Sequence, residues 1–217
     1  MEGSAERRLP PGSHGIPADV VARNQRERLV AAMAEVCAER GYAETSVAAV
    51  AKRAGVSSVT FYKQFAGKRD CMLAAHRQLL GRLLEEVDCV LEDEEGAAGG
   101  GGKVDGGAEA KARTAIRAAL ALFAADAPSA RLLTVEVLAA GAEGAKCHDA
   151  MVEAFARRLR PDGDRDGDAP VAAAEWVRVA GMLALVGKLA VAGEAGRLLG
   201  LEDELVAMGG EIRDPRA

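Results

Sequence analysis

The chain has 217 residues, 49% of them apolar but only 3% aromatic, with a net charge of -5. That length allows a buried core in one or two domains, and Leu, Val and Ala must build it. Four scattered cysteines (Cys37, Cys71, Cys89, Cys147) lack zinc spacing, no apolar signal run opens the chain, and Lys188 interrupts the most apolar stretch, Val179 to Gly193. A zinc framework, export and membrane insertion therefore find no support, and a reducing cytoplasm is the expected setting. The net charge argues against a nucleic-acid partner, yet it hides an asymmetry. Residues 1–69 hold 11 Lys and Arg against 7 Asp and Glu, whereas residues 70–217 hold 17 against 26. The N-terminal part is basic and the remainder acidic.

Residues 1–23 are rich in Gly, Pro, Ser and Arg and read as a disordered arm, in which Arg7 and Arg8 offer charge to a minor groove or simply to solvent. A first helix is expected from Asn24, a capping residue with Glu27 three positions on. Leu29, Met33, Val36 and Cys37 mark its apolar face, Gly41 ends it, and Tyr42 is placed under the next helix. Thr45 and Ser46 supply a cap for a short second helix whose Val47, Val50, Ala51 and Ala54 keep helical spacing. Gly55 provides a left-handed exit, and Ser57 caps a third helix two residues later. On that third helix Phe61 and Phe65 share one side; Val59, Thr60 and Lys63 point away, with Tyr62 and Gln64 on the flanks.

Two short helices joined by a tight turn, with an apolar anchor behind a small polar surface, are what a helix-turn-helix requires. In such a unit Tyr62 and Lys63 reach phosphates, and Ser58 or Gln64 reaches base edges. By pattern alone, two core helices of an ordinary α-protein read the same way.

The stretch GYAETSVAAVAKRAGVSSVTFYKQFAGKRD resembles the DNA-binding region of the TetR family of bacterial transcriptional regulators, from about Gln25 to His76. The resemblance implies an all-α chain: a three-helix DNA-binding head over residues 24–69, then a larger helical effector-binding and dimerisation domain over 70–217. Carried over by position, recognition contacts fall on Ser58, Val59, Thr60, Tyr62 and Gln64, with Lys68 on phosphate. Thr45, Ser46, Ser57 and Lys63 complete the expected DNA-binding set. Gln64 stands where many members carry His, and Val59 offers apolar contact, as to a thymine methyl.

A long fourth helix is expected from Lys68, with Met72, Leu79, Leu83, Val87 and Leu91 in register; the acidic run Glu92 to Glu95 opposes its macrodipole, so the last turn should fray. Residues 96–107 hold seven glycines and read as a flexible loop. Further helices are expected at 108–125, from Pro128 to Gly141, at about 144–160, at about 170–192 and at about 197–208.

Asp162 to Asp168 opens like a calcium loop, but Ala173 stands where a bidentate Glu is needed, so a solvated linker is the better account. No metal or other cofactor is expected, and no catalytic constellation is recognisable. Phe123, Met151, Phe155 and Trp176 either converge on an effector pocket or pack an ordinary core; Glu136 and His148 are added as candidate polar lining. Family members dimerise through their last long helices, which here places Ala180, Gly181, Ala184 and Gly187 at a homodimer seam or inside the protomer. The expected function is a regulator, most simply a repressor, that leaves a palindromic double-stranded operator on binding a small apolar effector. A ligand-independent architectural DNA binder, or a helical enzyme, is the alternative.

Overall fold

The computed structural model describes residues 17–97, 107–160 and 169–210, and among these no strand occurs. Arg7, Arg8, most of the glycine-rich segment and Asp162 to Asp168 lie outside the described residues.

The first helix, α1 (Ala18–Glu44), starts six residues before Asn24. Pro17 sets this boundary: it cannot continue a helix backward, but its carbonyl accepts the Val20 and Val21 N–H groups at 3.1 and 3.2 Å. Gly41, at φ 79° and ψ 160°, breaks the helix near its end, as its position in the sequence suggested. Helix α2 (Val47–Ala54) begins at Ser46, whose hydroxyl accepts the Ala49 N–H at 3.2 Å, and ends at Gly55 with φ 64°. Helix α3 (Ser58–Gln64) begins at Ser57, whose hydroxyl accepts the Thr60 N–H at 3.0 Å. The capping chemistry legible in the sequence is therefore the chemistry that forms the turn.

Helix α4 (Lys68–Ala97) is 30 residues long, on the order of 45 Å at 1.5 Å per residue. The helix runs on through Glu92 to Glu95, where fraying was expected, and Leu91, just ahead of that acidic run, is buried. Then come α5 (Gly107–Ala125), α6 (Ala127–Thr134), α7 (Ala142–Arg158), α8 (Ala173–Ala192) and α9 (Glu202–Gly210). The expected continuous helix from Pro128 to Gly141 is divided: after α6 the chain tightens into a 3-10 turn over Glu136–Ala140. The Thr134 hydroxyl bonds back to the Ala130 carbonyl at 2.7 Å, a contact that bends helices, and Val135 (φ -122°, ψ -59°) leaves helical geometry. A second 3-10 segment, Ala195–Leu201, precedes α9.

Buried apolar residues form two clusters. One gathers Leu29, Met33, Cys37, Val50, Phe61, Phe65 and Met72 from α1 to α4; the other gathers Leu83, Leu120, Phe123, Met151, Phe155 and Leu183 from α4 to α8. The N-terminal cluster also takes Leu132 and Ala140 from beyond α5, so helix α6 and the turn after it wedge between the two cores.

Candidate nucleic-acid interface and effector cavity

Helix α3 is held from behind and open in front. Phe61 and Phe65 are buried with ring centroids 5.6 Å apart, while Val59 and Tyr62 are 67% and 60% exposed. Ser58 and Lys63 are also exposed, and Thr60 and Gln64 are half-buried at the edges. The outward row is thus a short run of serine, valine, tyrosine and lysine on a helix whose back cannot rotate.

Two arginines of α1, missed in the sequence, fix this unit. Arg28 donates through Nε to the Ala54 carbonyl at 2.9 Å and through Nη2 to the Gly55 carbonyl at 3.1 Å, closing the end of α2. Arg26 donates through Nη1 to the Gln64 carbonyl at 3.0 Å, closing α3, and its guanidinium lies 4.3 Å over the Phe65 ring. Cations at helix C-termini are favoured by the macrodipole and satisfy otherwise orphaned carbonyls. The available signal was two arginines, two positions apart, just ahead of the first buried residue of α1.

Two expected contacts are corrected. Thr45 is only 3% exposed: its hydroxyl donates to the Gly41 carbonyl at 2.8 Å and lies 3.5 Å from Cys37 Sγ, leaving Ser46 alone as the cap. Lys68 does not point outward. Its Nζ donates to the Tyr42 and Ala43 carbonyls at 2.9 and 3.2 Å and sits 4.3 Å over the Tyr42 ring, so its charge closes the end of α1.

In the body, a small apolar cavity of about 40 Å³ is lined by Ile116, Leu120, Phe123, Phe155, Met182 and Leu183 among others. Phe123 and Phe155, whose rings are 6.4 Å apart, are the two expected pocket residues on this wall. Met151 is buried in the core and Trp176 packs against that core, outside the lining. Glu136 is corrected outright: its carboxylate accepts the Tyr42 N–H at 2.6 Å and pairs with Arg131 at 2.7 Å, so it faces the head. His148, half-buried on α7, also stands outside the lining; it is close enough to buried His76 to help depress that residue's pKa. Burial is the larger cause, and the two together push His76 down to about 4; its Nε2 has no hydrogen-bond partner. Burial likewise pushes the Cys37 thiol up to about 11, which suits a core residue better than a thiol sensor. A second cleft of about 170 Å³ between α4, α5 and α6 shares Phe123 with the first and has Arg82, Glu86, Asp126 and Ser129 in its lining.

Along α8, Val177, Gly181, Ala184, Lys188 and Val191 are exposed at spacings of four, three, four and three and form one stripe. Ala180 instead packs on the core, and Gly187 is corrected to an inward position. A Cβ there would stand 2.7 Å from Val135 Cγ2 and 2.9 Å from Thr134 Oγ1, so only glycine lets α8 approach α6 this closely. Among the described residues no group of three potential metal ligands occurs, and no helix is long and apolar enough to cross a membrane.

A helix-turn-helix head with a braced, outward-facing third helix, set on a helical body with an apolar cavity, defines a DNA-binding regulator of the helix-turn-helix class. Residues 29–75 match the family model described as bacterial regulatory proteins, tetR family. The fatty acid metabolism regulator protein of Bacillus subtilis (strain 168) is 33% identical over 61 residues, which span 28% of this chain and only 31% of that protein. Among solved structures, the fatty acid degradation regulator FadR from Bacillus halodurans superposes with a TM-score of 0.67 at 19% identity, over 86% of this chain and 99% of that one. FadR from Bacillus subtilis in complex with stearoyl-CoA gives 0.61 at 20% identity, over 86% and 99%. A transcriptional regulator from Rhodococcus sp. Rha1 gives 0.58 at 26% identity, over 85% and 94%. Residues 29–75 are thus the part of this chain that matches the TetR family of bacterial transcriptional regulators, and the chain matches only about a third of the length of the curated relative.

Proposed function

We propose that the protein is a cytoplasmic homodimeric repressor that holds a palindromic operator and releases it when a small, largely apolar effector enters the body. The observation that carries this reading is the outward row of α3 in front of two buried phenylalanines. Ser58, Val59, Thr60, Tyr62, Lys63 and Gln64 form the contact set, with Ser46 and Ser57 at the helix starts. Val59 suits a thymine methyl, Gln64 and Ser58 suit base edges, and Tyr62 and Lys63 suit phosphates. In a dimer two such helices enter successive major grooves roughly 34–36 Å apart.

The apolar lining around Phe123 and Phe155 supports an effector with an apolar portion. The FadR structure in complex with stearoyl-CoA supports the same class of ligand. The exposed stripe of α8 supports assembly of two copies there, since small residues let helices approach closely. The body is assigned to sensing and assembly, with no catalytic step.

Two measurements test this. Replacing exposed Val59 by Asp sets a carboxylate against the phosphates and should abolish operator binding without changing the melting temperature; unchanged affinity would overturn the assignment of α3. A thermal-shift screen of apolar compounds should find ligands that raise the melting temperature by mass action and also weaken operator binding. Stabilising ligands that leave operator affinity untouched would favour an architectural DNA binder.

A further inference from the structure

Helix α6 serves two cores at once. Ala130 and Leu133 belong to the body core and line the second cleft with Ser129, whereas fully buried Leu132 belongs to the head core. Arg131 lies among them, on the head side. Its Nη1 donates to the Ala38 carbonyl at 2.6 Å, and its Nε and Nη2 meet Glu136 Oε1 at 2.8 and 2.7 Å. The other carboxylate oxygen, Oε2, accepts the Tyr42 N–H at 2.6 Å, and Glu136 is buried. Ala38 and Tyr42 flank Gly41, whose φ of 79° turns the Tyr42 N–H toward the body. From the other side Lys68 holds the Tyr42 and Ala43 carbonyls. The end of α1 is thus gripped between body and head, and the same helix carries the two arginines that close α2 and α3.

We propose that Arg131 and Glu136 are positioning residues that set the angle of the head on the body, and hence the separation of the two recognition helices in a dimer. This rests on the reading of α3 as the DNA-facing helix. The choice of chemistry supports an orienting role over an adhesive one. A buried ion pair stabilises little compared with apolar side chains of the same volume, and Leu132 and Ala140 already provide apolar contact here. What the pair adds is direction: moving either partner leaves a buried charge without its hydrogen bonds, so few head angles are tolerated. Because Arg131 is covalently adjacent to cleft-lining Ala130, a ligand that shifts α6 shifts the grip on Ala38 as well.

The test uses the full chain and the half-site that the wild type selects from random duplexes, offered as inverted pairs at graded spacings. The wild type should show a sharp affinity maximum at one spacing. Glu136→Gln keeps the volume and an acceptor for Tyr42 but loses the charge; Arg131→Lys keeps the charge but loses the fork. In both, base preference within the half-site should be unchanged, the spacing profile should flatten, and affinity at the best spacing should fall roughly 5–150-fold, the usual span of coupling between sites. The apolar double variant Arg131→Met/Glu136→Leu, which leaves no unpaired charge, should melt above both single variants yet keep the flattened profile, which a purely structural role would not produce. Variant profiles superposable on the wild type, an altered half-site preference, or unfolding of both single variants would each overturn the proposal. A wild type that selects no duplex would instead remove the α3 assignment, and this inference with it.

Discussion

Truncating Phe61 should collapse the head while truncating its neighbour Tyr62 should not. Phe61 is fully buried, and its ring lies 5.6 Å from both Tyr62 and Phe65. Burying an aromatic side chain removes about 150–250 Å² from water. At about 25 cal/mol per Å² this contributes roughly 4–6 kcal/mol. Phe→Ala changes in cores cost about 3–5 kcal/mol, a large part of the roughly 5–15 kcal/mol that a domain has. Tyr62 is mostly exposed, so Tyr62→Ala should change stability by no more than about 0.5 kcal/mol while weakening DNA binding. The chain provides its own probes: both tyrosines, Tyr42 and Tyr62, lie in the head, and the single tryptophan, Trp176, lies in the body. Urea unfolding of Phe61→Ala, followed by near-ultraviolet circular dichroism of tyrosine and by tryptophan fluorescence, should show the larger loss in the tyrosine signal. A loss under about 1 kcal/mol, or a larger loss in the Trp176 signal, would refute the claim that Phe61 pins α3.

Four further outcomes follow from the same geometry. Lys63→Ala should weaken binding to all duplexes alike and lower the slope of log affinity against log salt by about one, as read by fluorescence anisotropy over a salt series. His76 has a folded pKa of about 4 against an ordinary value near 6.5, so its stabilising effect is complete above pH 6.5 and is lost as pH falls from 6.5 toward 4. Between pH 7.5 and pH 5 the wild type should therefore lose about 2 kcal/mol more than His76→Leu in paired urea titrations. Gly181→Ala should stabilise the isolated protomer by roughly 0.5–1 kcal/mol, since open space surrounds it and alanine favours helix. Gly187→Ala should destabilise it, because overpacking against Thr134 and Val135 costs about 1–3 kcal/mol and outweighs that gain; thermal melts check both signs.

What was legible in the sequence was local. Ser46, Gly55 and Ser57 act on backbone groups within four residues of themselves, so their types alone announced the turn. The four-residue spacing of Phe61 and Phe65 likewise announced the buried side of α3. What escaped depends on partners distant in the chain or without a residue signature. The carboxylate of Glu136 meets a main-chain N–H 94 residues away, and nothing about Tyr42 as a residue type marks that N–H as a partner. Thr45 and Lys68 turned from DNA toward carbonyls of α1, and every residue has a carbonyl. Gly187 shared its small-residue pattern with Gly181, but α8 is apolar on most sides, so periodicity did not separate its inner from its outer face. The start of α1 was misplaced because Asn24 and Glu27 form a convincing cap, while Pro17, the actual boundary, caps only through its carbonyl.

The most direct test of the central claim is selection of duplex DNA from a random library by the purified full chain at low ionic strength, with Val59→Asp as the control. The account predicts an enriched inverted repeat with half-site centres about one helical turn apart, which the control fails to enrich. Failure of the wild type to enrich any duplex, or enrichment of the same sequence by Val59→Asp, would contradict it.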